Sequence, residues 1–253
     1  MKESIVLQKV NICEEEPVEF LLNGKTLVTF MCTPSELKEL AIGHLYSRGI
    51  IKSVEDLTSL GACKDMKMIF ATTSQEVDFN GIELNTVLSS GCGSGVKFNE
   101  KIANLPKIES NFHVTLDELK ELAVEMFTKA QMYKKYGGMH CAAVSDGSYL
   151  MALCEDVGRH NAVDKVIGKA ILKCVDFKQS MILTTGRIST DMVLKAANVS
   201  CPFIATRSIP TTSALELANK LGITIIGRVV SSSPIVYMNE ERIAIWKEKS
   251  YVW

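Results

Sequence analysis

The residues best suited to chemistry fall in a few short glycine-containing stretches. The first is Leu88-Ser89-Ser90-Gly91-Cys92-Gly93-Ser94-Gly95. A strand over 84–89 leads into it and a helix starting near Phe98 follows, so Cys92 is expected at the tip of a glycine-lined turn. Such a thiol is accessible, and a neighbouring helix N-terminus favours the thiolate, which is the form that attacks. A cysteine of this kind can accept a sulfane sulfur, hold it as a persulfide and pass it on. The same residues also suit a turn that merely contains a cysteine. The other seven cysteines (13, 32, 63, 141, 154, 174 and 201) form no CxxC pair, which argues against a zinc ribbon or a thioredoxin-type motif. Cys141 and Cys154 read as core residues.

Three further stretches each carry an arginine beside glycine, hydroxyl or amide groups at a helix start. They are Glu155-Asp156-Val157-Gly158-Arg159-His160-Asn161, Thr184-Thr185-Gly186-Arg187-Ile188-Ser189 and Thr206-Arg207-Ser208-Ile209-Pro210-Thr211-Thr212. Free N–H groups and the helix dipole make such termini anion sites, and an arginine can fork onto a phosphate. Singly, each turn could equally be an ordinary cap with a solvated arginine. All three on one sheet edge would suit a ligand bearing a pyrophosphate. Asp156, Asp164 and Lys165 read as ion pairs across the first helix turns. His140, in Gly137-Gly138-Met139-His140-Cys141, lacks the His-x-Glu and Pro-Cys-x-x-Cys of a zinc deaminase. It is therefore expected to orient structure or ligand, with no metal of its own.

The elements that must hold these stretches can be read from periodicity. Asn23-Gly24 between two alternating runs predicts a hairpin over 18–30. Thr33-Pro34-Ser35-Glu36 predicts a capped helix start, with Leu37, Leu40, Ala41 and Leu45 buried and Gly49 as the stop. Thr115 and Glu118 predict a second capping box, opening a helix that runs to Gly137-Gly138. From residue 149 onward strands near 149–153, 181–184, 203–205 and 223–226 alternate with helices over 158–173, 190–198 and 211–221. That alternation predicts an α/β fold with a largely parallel sheet, and ligands are then expected beyond the strands' carboxyl ends.

The 253 residues are 47% hydrophobic and 23% charged, with a formal net charge of −1. This is a globular composition, with no basic excess for nucleic acid and no acidic tail. Neither a secretory h-region nor an apolar run long enough for a membrane span is evident, so a soluble cytoplasmic protein is expected, with no nucleic-acid or membrane partner. A single unit over 1–253 is expected, with a β-rich N-terminal lobe (1–110) holding the Cys92 loop, an α/β lobe (111–253), and the joint near 104–111. The partly apolar helices are compatible with a homodimer, which is the expected assembly.

TPSELKELAIGHLYSRGII, SSGCGSG, KKYGGMHCAAV, EDVGRHNAVDKVIG, TTGRIS and IPTTSALELANKLGITIIGR, taken in order and spacing from Thr33 to Arg228, resemble the FdhD family. The resemblance implies a cytidine-deaminase-like three-layer fold with a mixed, largely parallel sheet, without the deaminase metal. It also implies a sulfurtransferase that takes sulfur from a cysteine desulfurase as a persulfide on Cys92. The sulfur then passes to the molybdenum bis(guanine dinucleotide) cofactor destined for the catalytic subunit of formate dehydrogenase. A non-catalytic chaperone that only binds that cofactor is the alternative. The family's cofactor-binding stretch corresponds to Arg228-Val229-Val230-Ser231-Ser232-Ser233. With it, the turns contribute Arg159, His160, Asn161, Gly186, Arg187, Arg207 and Thr211 as expected cofactor contacts. The sequence departs from the family at Gly95, where many members have a second cysteine, at Arg228 and Val230, which replace an aromatic and an arginine, and at Arg48, where an acid is common.

Overall fold

The computed structural model describes residues 12–79, 84, 86–89 and 105–244. Cys92, the turn around it and the helix expected from Phe98 lie outside the described residues.

The hairpin forms as its turn residues require. Strand β1 (Glu16–Leu22) and strand β2 (Lys25–Cys32) pair antiparallel across Asn23 and Gly24, whose φ values of 51° and 75° fit a type I′ turn. Strands β3 (Leu57–Cys63), β4 (Met68–Thr73) and β5 (Thr86–Leu88) complete a five-stranded sheet in the order β3-β4-β1-β2-β5. Strand β5 runs parallel to β2 and sets Leu88 opposite Phe30. Helix α1 (Leu37–Ser47) buries Leu37, Leu40, Ala41 and Leu45 with Phe20, Phe30 and Ile69 of this sheet.

The start of α1 differs from the sequence expectation. Glu36 precedes the helix in the left-handed region (φ 52°) and makes no side-chain cap. Thr33 is drawn away by longer-range partners: its hydroxyl accepts from Val157 N, and its carbonyl accepts from the Lys165 ammonium. Glu36 instead pairs with Lys169, 2.5 Å away.

The rest of the chain builds a six-stranded sheet from β7 (His140–Ser145), β8 (Leu150–Asp156), β9 (Met181–Thr184), β10 (Phe203–Thr206), β11 (Thr224–Gly227) and β12 (Ile235–Met238), in the order β12-β11-β10-β9-β7-β8. Its helices are α2 (Leu116–Lys129), α3 (Gln131–Tyr136), α4 (Arg159–Leu172), α5 (Thr190–Asn198) and α6 (Thr212–Leu221). Alternate residues face opposite ways. Ala142, Val144, Ile182, Ile204 and Ile225 pack under α4, α5 and α6, whereas Cys141, Ala143, Leu183, Phe203 and Ile226 pack with α2. Helices thus cover both faces. A short parallel pair, β6 (Val114–Thr115) with β13 (Ile243–Ala244), lies outside this sheet.

The fold is mixed α/β, and the six-stranded sheet is not largely parallel. Only the β9–β10 and β10–β11 pairings are parallel, while β7 is antiparallel to both its neighbours and β12 is antiparallel to β11. Strands β7 and β12 of this sheet, like β3 and β4 of the first, were not placed by sequence reading; in β7 the Cys-Ala-Ala run lacks the β-branched signal of a strand. The tight turn through Gly147 (φ 95°) then makes β7–β8 a hairpin. The helix expected from Thr115 to Gly137 is also broken. The Thr115–Glu118 capping box opens it as expected, but it stops at Lys129. The Glu155 carboxylate accepts from Met132 N and Tyr133 N, so α3 starts afresh with its own buried anionic cap. Among the described residues no helix is long and apolar enough to cross a membrane.

The two sheets are joined chiefly through α1 against α4. A Cβ on Gly43 would fall 1.7 Å from the Asp164 carbonyl oxygen, and one on Gly168 would fall 2.0 Å from that of Glu39, so the backbones touch only because both positions are glycine. Buried charge fills the same contact. Asp164 accepts from Lys195 (2.7 Å) and Ser47 (2.8 Å), and His44 Nδ1 stands 3.3 Å away. These pairs bridge elements far apart in sequence, not successive turns of one helix. Burial pushes His44 down from 6.5 to about 4, against the pull of Asp164. Burial opposes the Asp164 charge, yet Lys195 and His44 hold that carboxyl at about 2.

Between the folded and unfolded values of His44, the unfolded chain binds more protons. Its contribution is therefore whole above pH 6.5 and is lost as pH falls toward 4, about 3 kcal/mol in all. Urea denaturation across that window should show this slope in the native chain and a flatter one in His44→Asn.

Candidate functional site

The carboxyl ends of β8, β9, β10 and β11 all open on one rim. Strand β8 is antiparallel to β7, which is antiparallel to β9, so β8 shares the direction of the three parallel strands. The rim therefore gathers the turns after Asp156, Thr184, Thr206 and Gly227, and with them Arg159, Arg187, Arg207 and Arg228. Backbone bonds knit these turns side by side. Arg207 N donates to Thr184 O, Thr211 N to Ile188 O, Arg228 N to Ser208 O and Val229 N to Thr206 O. The Thr206 hydroxyl donates to Gly186 O at 2.5 Å.

The turn after β8 is anchored by one carboxylate. Asp156 is fully buried and accepts from Thr33 N (3.1 Å), Gly158 N (2.7 Å), Asn161 Nδ2 (3.1 Å) and Lys165 Nζ (2.6 Å). Asn161 also donates to Met31 O at 2.8 Å. Two of those partners sit at the end of β2, so the first sheet's edge is fastened to the rim. The parallel strand β5, whose last residue precedes Cys92 by four positions, runs toward that same end.

The expected contact residues separate into two groups. Arg187, Arg207, Arg228, Val230, Ser232 and Ser233 are exposed on the rim, with Arg159 and Ser231 half-buried. Arg228 takes a left-handed backbone (φ 52°) that turns the chain out of β11. By contrast, Asn161 is spent on Asp156 and Met31, and Val229 is 1% exposed in the core. Thr211 acts as the N-cap of α6, its hydroxyl accepting from Ala214 N. Gly186 is buried, and a Cβ there would meet Arg159 at 2.8 Å, so its bare backbone makes room for that arginine.

At the start of β7, His140 Nδ1 stands 3.1 Å from the Thr185 hydroxyl, whose oxygen accepts from Cys141 N. Burial, then the nearby Arg159 and His160, lower the His140 pKa, which keeps the ring neutral. His160 Nδ1 lies 2.8 Å from Asp191 Oδ2. Among the described residues no group of three or more His, Cys, Asp and Glu side chains could hold a metal.

Sequence reading missed two features here. One is the His160–Asp191 contact, which joins α4 to α5 across 31 positions. The other is a groove of about 420 Å³ lined by Val124, Phe127, Tyr133, Arg207 and Val230, where the Arg207 guanidinium lies 5.5 Å over the Phe127 ring and donates to the Tyr133 hydroxyl. Only the apolar stripe of α2 carried any signal for the groove, and it read as core.

Comparison with known proteins places the chain. The family model described as FdhD/NarQ matches residues 13–244. The chain belongs to the FdhD/NarQ family. It is 29% identical over 235 residues to the sulfur carrier protein FdhD of Bacillus pumilus, covering 92% of this chain and 90% of that one. Against the protein of the same name from Staphylococcus haemolyticus it is 32% identical over 234 residues, covering 90% and 88%. A crystal structure described as a formate dehydrogenase accessory protein from Desulfotalea psychrophila superposes with a TM-score of 0.77 at 24% identity, covering 95% of this chain and 97% of that one. That likeness speaks to the fold.

Replacing Lys165 by Ala would strand the Asp156 carboxylate without its counter-charge. Lys165→Ala is expected to cost about 3–5 kcal/mol of unfolding free energy, checked by denaturant titration. Because Asp156 positions the turn, any effect on ligand binding should accompany that loss.

Proposed function

We propose that the protein is a sulfurtransferase that carries sulfur on Cys92 to the molybdenum bis(guanine dinucleotide) cofactor, for use by the catalytic subunit of formate dehydrogenase. The observation that carries the reading is the gathering of four arginine-bearing turns on the rim toward which β5 runs. A cysteine desulfurase would supply the sulfur as a persulfide. Cys92 thiolate would attack the outer sulfur, and the sulfur would then pass to cofactor bound along the rim. Membership in the FdhD/NarQ family and the sulfur-carrier names of the relatives support this role. In the same reading the helix-covered sheet is the deaminase-like layer, the chain works in the cytoplasm and it pairs as a homodimer.

The cofactor is the substrate here, and its phosphates are the groups the rim can hold. Arg159, Arg187, Arg207 and Arg228 would fork onto them, and the hydroxyls of Ser231, Ser232 and Ser233 would hydrogen-bond their oxygens. Four of the described cysteines are set aside as the nucleophile by their burial. Burial raises the Cys32 and Cys201 thiols to about 12 and pushes Cys141 and Cys154 up as well. Those four stay protonated and sealed, so none is a nucleophile near neutral pH.

Incubation with a cysteine desulfurase and cysteine, followed by intact-mass analysis, should show a gain of one sulfur on the peptide holding Cys92. Cys92→Ala should gain none and should fail to activate formate dehydrogenase. Activation by that variant would overturn sulfur transfer and favour a cofactor-binding chaperone. Arg207→Ala should weaken cofactor binding by roughly 10-fold or more, the loss expected for one charge-assisted contact, measured by equilibrium titration.

A further inference from the structure

His160 is the second residue of α4, one position beyond Arg159 on the rim, and it is 8% exposed. Its ring uses one nitrogen only. Nδ1 is bonded to the Asp191 carboxylate, while Nε2 is buried and has no hydrogen-bond partner among the described residues. A buried polar atom left unpaired is costly, and few such atoms occur in native proteins. Hydrogen bonding to Asp191 already satisfies the structural need of this ring, so the second nitrogen is left for something else.

The surroundings define what that nitrogen can do. From α5, Asp191 faces the ring, and Lys195 stands 3.8 Å behind that carboxylate. From β7 comes His140, from α4 itself Arg159, and Arg48 at the end of α1 acts on Asp191. Burial opposes the Asp191 charge, but Lys195 and the His160 hydrogen bond hold its carboxyl well below the usual range. An ionised Asp191 can only accept, so Nδ1 carries a proton and Nε2 is the nitrogen left to exchange one. This is the geometry of a general base oriented by a carboxylate, and an acceptor without a donor calls for a ligand bearing an acidic hydrogen, such as a thiol.

We infer that His160, oriented by Asp191, is the proton-exchanging group of the sulfur transfer; this rests on the sulfurtransferase reading above. Nε2 takes the proton of the acceptor thiol, giving the thiolate that attacks the outer sulfur of a donor persulfide. A sulfur–sulfur bond forms on the acceptor and the donor's sulfur–sulfur bond breaks. The leaving thiolate takes the proton back from Nε2, so the ring is restored and the sulfur changes hands without net oxidation. Asp191 is a positioning residue in this scheme, fixing the tautomer and steadying the transient imidazolium.

The test follows sulfur uptake by the full chain with rapid-quench intact-mass analysis, using a low-molecular-weight persulfide as donor, from about pH 5 to about pH 9. His160→Gln should slow uptake on the order of 10²-fold and flatten its pH dependence across the imidazole range. Added imidazole should restore part of the rate to His160→Ala, which a purely packing role would not allow. Asp191→Asn, whose amide oxygen can still accept from Nδ1, should keep the fold while moving the acidic limb of the pH profile. It carries the test by itself if the His160 variants fail to fold. A wild-type chain that gains sulfur while His160→Gln keeps its rate and pH profile overturns this inference alone. So does an Asp191→Asn profile identical to the wild type. A wild-type chain that never gains sulfur overturns the sulfurtransferase reading and this inference with it.

Discussion

The structure depends on a contact in which two helix backbones touch. Gly43 of α1 and Gly168 of α4 leave no side chain between them, and a methyl group at either position would overlap a carbonyl of the other helix. Close approach leaves no room for a layer of apolar side chains, so the contact is sealed by charge. Asp164, Lys195, His44 and Ser47 meet there, buried together, and each charge is affordable only because the others are in place. The five-stranded sheet is thereby fixed against the six-stranded one with little freedom to slide.

That rigidity explains how a rim assembled from distant segments can act as one surface. Asp156 takes donors from the end of β2, from its own turn and from α4, so one carboxylate registers the first sheet against the turn carrying Arg159. Glu155, the preceding residue, points to the other side of the sheet and caps α3. Through Tyr133 this second carboxylate also settles where Arg207 lies. Adjacent residues of β8 therefore control two arginines on opposite sides of the sheet, a consequence of strand alternation.

The local rules of the chain gave much of the architecture. Asn23-Gly24 demanded its hairpin, Thr115 and Glu118 their capping box, and the strands and helices from Met181 to Leu221 lie within a residue of where periodicity puts them. Those features are decided by backbone conformation and by neighbours three or four positions away. The placing of all three arginine turns on one edge was legible too, since alternating strands and helices share a direction.

The sequence by itself also determined family membership, because a string such as EDVGRHNAVDKVIG constrains many positions together. Only the tertiary structure decided what the polar residues in that string do. Thr33 looked like a helix cap until Val157 and Lys165 claimed it, and Asn161 looked like a ligand contact until Asp156 and Met31 used its amide. His160 met its carboxylate partner only when α5 brought Asp191 beside it. The reason is physical: a buried polar side chain must find partners wherever the fold offers them, and apart from Asp156 beside Asn161 those partners lie tens to more than a hundred residues away. No short-range pattern records that choice.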